Sequence, residues 1–275
     1  MKALFEILPG SVDAANCTLV CEISNESFSY AIKNTEQNNY VGLAVYQFEK
    51  ATERKDYGNV LQEVIKAQPL LSGNFKKVSI VYSYAESVLI PFALYSSLEN
   101  ENVINLVHGD IENNTSILTD LVTESGVYNA YRVSASILKV LNSTFPDAIN
   151  THQYSILLKQ PQVKEDELSI IFYPQRIVVK LNKKGRIALV NNFFYNHAED
   201  VSYILLNICQ QFEVENVPVE ISGLINKDSA LYKEIYKYFE TIAFSSLPAA
   251  CNYAEEITRQ PAHYFSHIFA IDPCE

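Results

Sequence analysis

Two stretches of the chain carry the same alternation of apolar runs and short polar breaks. Thr18–Ser24 and Phe28–Lys33, joined by Asn25-Glu26-Ser27, read as two strands of a hairpin. After the polar turn Asn34–Asn39, Val41–Phe48 adds a third strand and completes an antiparallel meander. The pattern recurs in Leu168–Tyr173, Ile177–Leu181 and Ile187–Asn191, with Pro174-Gln175-Arg176 and Asn182-Lys183-Lys184-Gly185 as the turns. Behind each meander the apolar period lengthens to that of a helix. Tyr57, Val60, Leu61, Val64 and Ile65 share one face, with Asp56 as N-cap candidate; Val201, Ile204, Leu205, Ile208, Cys209 and Phe212 share another. Lys77–Tyr82 and Val217–Ser222 then read as strands, followed by helical stretches at Pro91–Leu98 and Ser229–Phe239. Three strands, helix, strand, helix therefore occurs twice, with Leu19 matching Leu168, Val41 Ile187, Tyr57 Val201 and Val78 Val219. The order predicts an α/β chain with mixed sheets, duplicated as two halves with a cleft between them. Chance similarity between two α+β halves is the alternative.

The remaining segments are less regular. Residues 1–16 read as a lead-in. Val103–Val107, Leu118–Glu124 and Val127–Val133 read as strands, the last two joined at Ser125-Gly126. Ser134–Phe145 reads as a helix with Pro146 beyond it, and Tyr154–Leu158 as a short strand. The polar link Gln160–Glu167 contains Pro161 and marks the boundary between a first half, 1–160, and a second, 161–275. The tail, 248–275, is expected to pack back on the first half.

Composition narrows the function classes. At 275 residues the chain can bury a full core or two, and 48% hydrophobic with 19% charged residues is globular. A net charge of −11 argues against nucleic-acid phosphates and anionic membranes. No apolar run reaches the ~20 residues that cross a bilayer. Met1–Pro9 carries an early Glu6 and no small-residue cleavage site, so it does not read as a signal peptide. The five cysteines are irregularly spaced, and reduced thiols in the cytoplasm are the simplest expectation. Only eight glycines are present, which matters because loops that wrap phosphates need them.

The tandem order resembles the actin-like ATPase fold of the ribonuclease-H-like superfamily. More closely, the chain resembles a bacterial family of unknown function with a degenerate version of that fold. The residues carrying the resemblance are Leu19–Ser24 with its hairpin, Phe145-Pro146 and the stretch near Gln153–Leu158, Leu168–Leu181, and terminal Cys274-Glu275. The cytoplasmic domains of type IV pilus and type II secretion platforms are similar in outline. The resemblance implies that an active member carries Asp-x-Gly in the first turn, the Asp holding Mg²⁺ through water and the Gly admitting phosphate to backbone N–H groups. Here the stretch is Glu22-Ile23-Ser24-Asn25-Glu26-Ser27, with no Gly. The second turn, Phe172–Arg176, has neither acid nor Gly, and Pro174 lacks a donor. Ser222-Gly223 stands alone where a Gly-Gly pair would face adenosine.

Other constellations are weaker. His263 and His267 sit at metal-ligand spacing without a third ligand, and read as core-edge histidines beside aromatics. Cys17 and Cys21 lie ~13 Å apart on a strand, too far for a disulfide. His108-Gly109-Asp110 reads as a loop end and His197–Asp200 as a helix start, without nucleophile or oxyanion hole. The surplus tyrosines of Tyr232–Phe239 suit an interface. No catalytic, cofactor-binding or metal-ligating residue is assigned, and no cofactor is expected. The expectation is a non-catalytic cytoplasmic protein acting through an unidentified protein partner or a small ligand. An ATP-binding enzyme or ATP-gated switch with an unconventional phosphate site is the alternative.

Overall fold

The computed structural model describes residues 2–48, 57–110, 114–160 and 165–272. The expected N-cap Asp56, the linker 49–55, part of the link 161–164 and the terminal Cys274-Glu275 lie outside the described residues. The chain forms two compact units. Among the described residues, one comprises those of 2–159 with Ala250–Ile257; the other comprises those of 160–249 with 258–272.

In unit 1, β1 (Lys2–Ile7) precedes the meander β2 (Cys17–Ile23), β3 (Ser27–Asn34) and β4 (Asn39–Gln47). Helix α1 (Tyr57–Ala67) leads to β5 (Lys77–Tyr82). Then follow β6 (Ser87–Pro91), α2 (Asn100–His108), β7 (Thr115–Val122) and β8 (Val127–Ser134), before α3 (Ala135–Thr144), β9 (Ile149–His152) and α4 (Gln153–Lys159). The large sheet runs β1-β4-β3-β2-β5-β9, and β6-β8-β7 form a separate antiparallel sheet. Every residue of β2 is buried. Its alternation is one of chemistry: Cys17, Leu19, Cys21 and Ile23 join the apolar cluster with Leu61 and Val64 of α1 and Ile137 and Leu141 of α3. Gly58 lets α1 close on α3, since a Cβ there would stand 2.8 Å from the Ser136 Cβ.

Unit 2 repeats the scheme. It contains β10 (Glu167–Phe172), β11 (Arg176–Lys183), β12 (Arg186–Phe194), α5 (Ala198–Gln211), β13 (Val219–Gly223), α6 (Ala230–Tyr236) and β14 (Ile242–Phe244). The sheet runs β12-β11-β10-β13-β14. Its second core joins Leu168, Ile170 and Phe172 to Val201, Leu205 and Ile208 of α5 and Ile235 of α6. Leu19 lies opposite Val78 in unit 1, and Leu168 opposite Val219 in unit 2. The return segment supplies β15 (Asn252–Tyr253), which pairs parallel with β4, then α7 (Glu255–Thr258) and α8 (Ser266–Phe269).

Several local expectations are corrected. Residues 2–7 of the supposed lead-in form a strand paired to β4. Val103–Val107 lies in helix α2, closed by Gly109 at φ 84°. Tyr154–Leu158 lies in helix α4, and the strand there is the preceding β9. Pro91–Leu98 holds only the 3-10 turn Phe92–Leu94 after β6. Cys17, Cys21 and Cys209 are free thiols, but Cys251 is disulfide-bonded, so the all-reduced expectation fails there.

Candidate functional site

The first turn is where the resemblance places a phosphate, and three of its amides, those of Ser24, Glu26 and Ser27, are already bonded within the turn. The Ser24 amide donates to the Ser27 carbonyl at 2.9 Å. The Ser24 hydroxyl accepts from the amides of Glu26 and Ser27, both at 3.1 Å. It also lies 3.2 Å from the Ser27 hydroxyl. The Glu26 carbonyl accepts from Phe48 N–H at 2.8 Å. A phosphate cradle needs amides aimed outward at an anion; here a buried serine turns those of Glu26 and Ser27 inward. Glu22, the residue that could replace the metal-holding Asp, is only 3% exposed. It stands opposite Ser29 on β3 and Val81 on β5, on the sheet face turned away from the apolar cluster.

The second turn is closed differently. Tyr173 N–H donates to the Arg176 carbonyl at 2.9 Å, and Pro174 offers no donor. The buried Arg176 guanidinium sits 4.2 Å from the centre of the Tyr173 ring. On the same ring, His267 packs edge-on at 5.7 Å. Tyr195 fastens the turn from β12's end, its hydroxyl donating to the Tyr173 carbonyl at 2.8 Å and its amide to the Gln175 carbonyl at 3.1 Å. Burial, with the Arg176 charge adding to it, pushes the His267 imidazole down to about 3. The ring is therefore neutral at pH 7, as a residue beside a buried cation must be.

Gly223 has a packing role. Its φ is 87°, and a Cβ would lie 2.2 Å from the Phe172 carbonyl oxygen. Leu224 N–H donates to that same oxygen at 2.9 Å. The glycine admits β13 close against β10, so its freedom is spent on packing.

Sequence reasoning passed over the polar face of the second sheet. Lys180 and Glu220 both stand opposite Ser169, and Asn182 stands opposite Glu167. Lys180 donates to the Gln160 side chain at 3.0 Å, and its burial lowers its pKa. Burial, and then the charge of Glu167, raises that of Glu220. The signal was visible as polar residues two apart, Glu167 and Ser169, Lys180 and Asn182, Glu220 and Ser222, in strands otherwise rich in Val and Ile.

The two histidines considered as a metal pair take separate roles. His263 bonds the Ile225 carbonyl at 2.8 Å and packs 4.2 Å from Phe244, whereas His267 meets Tyr173. Among the described residues no group of three or more His, Cys, Asp or Glu could hold a metal ion. His108 closes α2 with Nε2 3.2 Å from the Ser87 carbonyl. His197 is the N-cap of α5, where Asp200 accepts the amides of Asn196 and His197 at 2.9 Å each. Those two hydrogen bonds lower the Asp200 pKa. Cys17 and Cys21 are buried and unbonded, as their strand spacing requires.

Comparison with known proteins fixes the fold. A Bacteroides thetaiotaomicron protein with actin-like ATPase fold and unknown function superposes with a TM-score of 0.75 at 20% identity, over 86% of this chain and 94% of that one. A chain of a PilM-PilN type IV pilus biogenesis complex gives 0.60 at 11% identity, over 94% and 97%. The ethanolamine utilization protein EutJ from Carboxydothermus hydrogenoformans gives 0.52 at 8%, over 96% and 90%. No curated protein matches. No helix among the described residues is long and apolar enough to cross a membrane. The fold is that of the actin-like ATPases, and the matching family model spans residues 11–242: the chain belongs to the family described as "Protein of unknown function (DUF3822)".

Proposed function

We propose that this protein is a non-catalytic, actin-like pseudo-ATPase of the cytoplasm that works through protein–protein contacts. The observation that carries this reading is the Ser24 hydroxyl, which accepts the Glu26 and Ser27 amides that a phosphate would need. The second turn supports it, because Arg176 stacks on Tyr173 and Pro174 lacks an N–H. The common strand order around β2 and β10 fits two actin-like halves, 1–160 and 161–275, that arose by duplication. That one neighbour in fold comes from a PilM-PilN complex fits a role in assembly.

Thermal unfolding with and without Mg-ATP tests the reading. A ligand at 100 times its Kd stabilises by about 2.7 kcal/mol through mass action. The expected outcome is no shift at millimolar Mg-ATP. A clear rise in Tm that Glu22→Ala abolishes would instead establish an ATP-binding switch with Glu22 at the metal.

A further inference from the structure

One face of the small sheet β6-β8-β7 is covered by α2, whose Ile104 packs with Ile90 and Ala130. At the start of that helix the Asn100 side chain donates to the Tyr95 hydroxyl at 3.3 Å and to Thr119 at 3.1 Å. Beyond this point the cover ends and an aromatic cluster faces solvent. Tyr95 stacks on Tyr128 with ring centres 3.6 Å apart, and Phe92 packs on the same Tyr128 ring at 5.3 Å. Leu121 stands opposite Tyr128 in the β7–β8 ladder. Phe92 N–H donates to the Gly126 carbonyl, which fastens the 3-10 turn Phe92–Leu94 to the end of the hairpin. Held in this way, Phe92 is still 43%, Leu121 49% and Leu94 75% exposed. Fixed apolar side chains left in water mark a contact surface.

The charge around that surface has one sign. From Val78 to Tyr131 the chain holds seven acidic residues and no Lys or Arg, so this stretch carries −7 of the net −11. Some of that charge is met internally. Glu86 pairs with Arg132, Asp120 accepts from Tyr131, Thr151 and the His152 amide, and Lys159 of α4 lies within electrostatic reach of Glu124. Glu99 and Glu101 flank Asn100, and Glu99 accepts the neutral Asn102 amide at 2.7 Å. Among the described residues neither of these two carboxylates forms an ion pair.

We propose that the surface formed by Phe92, Leu94, Tyr95, Leu121 and Tyr128 docks a protein segment that presents apolar side chains flanked by Lys or Arg. The acidic rim repels nucleic acid and anionic lipid. A second copy of the same face would set Glu99 and Glu101 against like charges, which disfavours a symmetric dimer through it. In a basic apolar segment, the apolar side chains take the rings out of water and the cations meet the two carboxylates. The inference rests on the reading of the protein as one that works through protein contacts, and gives the chemistry of the partner.

Fluorescence anisotropy of the full chain with a labelled helical peptide of Leu and Lys tests it, beside a counterpart with Glu in place of Lys. The expected result is saturable, micromolar binding of the Leu–Lys peptide alone, weakening as salt rises. Phe92→Ser with Leu94→Ser should raise the Kd about tenfold or more, and so should Glu99→Lys with Glu101→Lys, with circular dichroism unchanged. Glu213→Lys with Glu215→Lys, at exposed acids of unit 2, alters the net charge equally and should leave the Kd within about twofold. Absence of binding by the Leu–Lys peptide overturns the proposal. So does equal binding of both peptides, or equal weakening by the Glu213 and Glu215 pair, which would assign the affinity to overall charge. None of these outcomes involves nucleotide, so a rise in Tm with Mg-ATP would defeat the non-catalytic reading separately and leave this surface standing.

Discussion

Ser24 shows how one side chain can close a loop that a different residue would leave open. Its hydroxyl is an acceptor for two amides at 3.1 Å in a position only 3% exposed. Ser24→Ala leaves both donors without that partner, and a buried donor left unsatisfied costs about 1–3 kcal/mol. The expected loss of stability in urea unfolding is therefore about 2 kcal/mol; a change within error would mean that the turn is held by Phe48 and the strands alone. His267 makes the complementary case through protonation. Its folded-state pKa, about 3, lies below the ordinary 6.5. The unfolded chain therefore binds the proton first, and stability falls as pH drops from about 6.5 toward 3, by at most about 1.4 kcal/mol per pH unit. His267 keeps part of its surface in solvent although its Nδ1 is sealed, so the observed slope should be shallower than that limit. His267→Phe should flatten the pH dependence of unfolding over that window, and an unchanged slope would place the acid sensitivity elsewhere. The absence of Asp and Gly from both turns was legible in the sequence. That Ser24 would consume the amides was not, because it depends on hydroxyl geometry within four residues.

At the scale of elements, the meanders were readable because their residues alternate between two environments and their turns are polar. β2, β3, β10 and β11 fall within a residue or two of the expected ranges. Two helices were misread for opposite reasons. In α2 the β-branched run Val103-Ile104 and Val107 resembles a strand, yet only Asn100 and Ile104 are buried, four residues apart on one stripe. In α4, by contrast, Gln153, Tyr154, Ser155, Leu157 and Leu158 are all buried, so no amphipathic period exists to read. Contacts from residues distant in sequence hold it: Ser83, just after β5, donates to Gln153 at 2.7 Å and Asn129 of β8 donates to Ser155 at 3.0 Å. β1 was unreadable because its register depends on β4, some 40 residues away in sequence. Gly223 gives the sharpest test of an element junction. Gly223→Ala must relieve a 2.2 Å contact with backbone at φ 87°, which only displacement of β13 from β10 can do. The expected cost is about 3 kcal/mol or more in urea unfolding, well beyond the ~1 kcal/mol of an ordinary Gly-to-Ala strain. Ser229, which caps α6 through Tyr232 N–H at 3.1 Å, should cost only about 1 kcal/mol as Ser229→Ala.

For the whole molecule, the actin-like fold was legible because it depends on element order, and order survives errors in individual elements. The physical consequence of that order, among the described residues, is a large hydrophobic core in each unit, one built on Leu61 and Ile137 against β2 and one on Leu205 and Ile235 against β10. Leu61 and Leu205 are both fully buried, so Leu61→Ala and Leu205→Ala each remove a comparable apolar volume and should each cost about 2–5 kcal/mol. Because each side chain belongs to one core, its loss should act first on the opening of its own unit. Native-state hydrogen exchange followed by mass spectrometry can locate the effect. Leu61→Ala should speed exchange in β2, β3 and β5 while β10, β11 and β13 keep most of their protection, and Leu205→Ala should do the reverse. Equal acceleration in both sheets by either variant would mean that the chain opens as one cooperative body. The measured cost would then refer to that body, and the division into two cores would describe packing without describing stability.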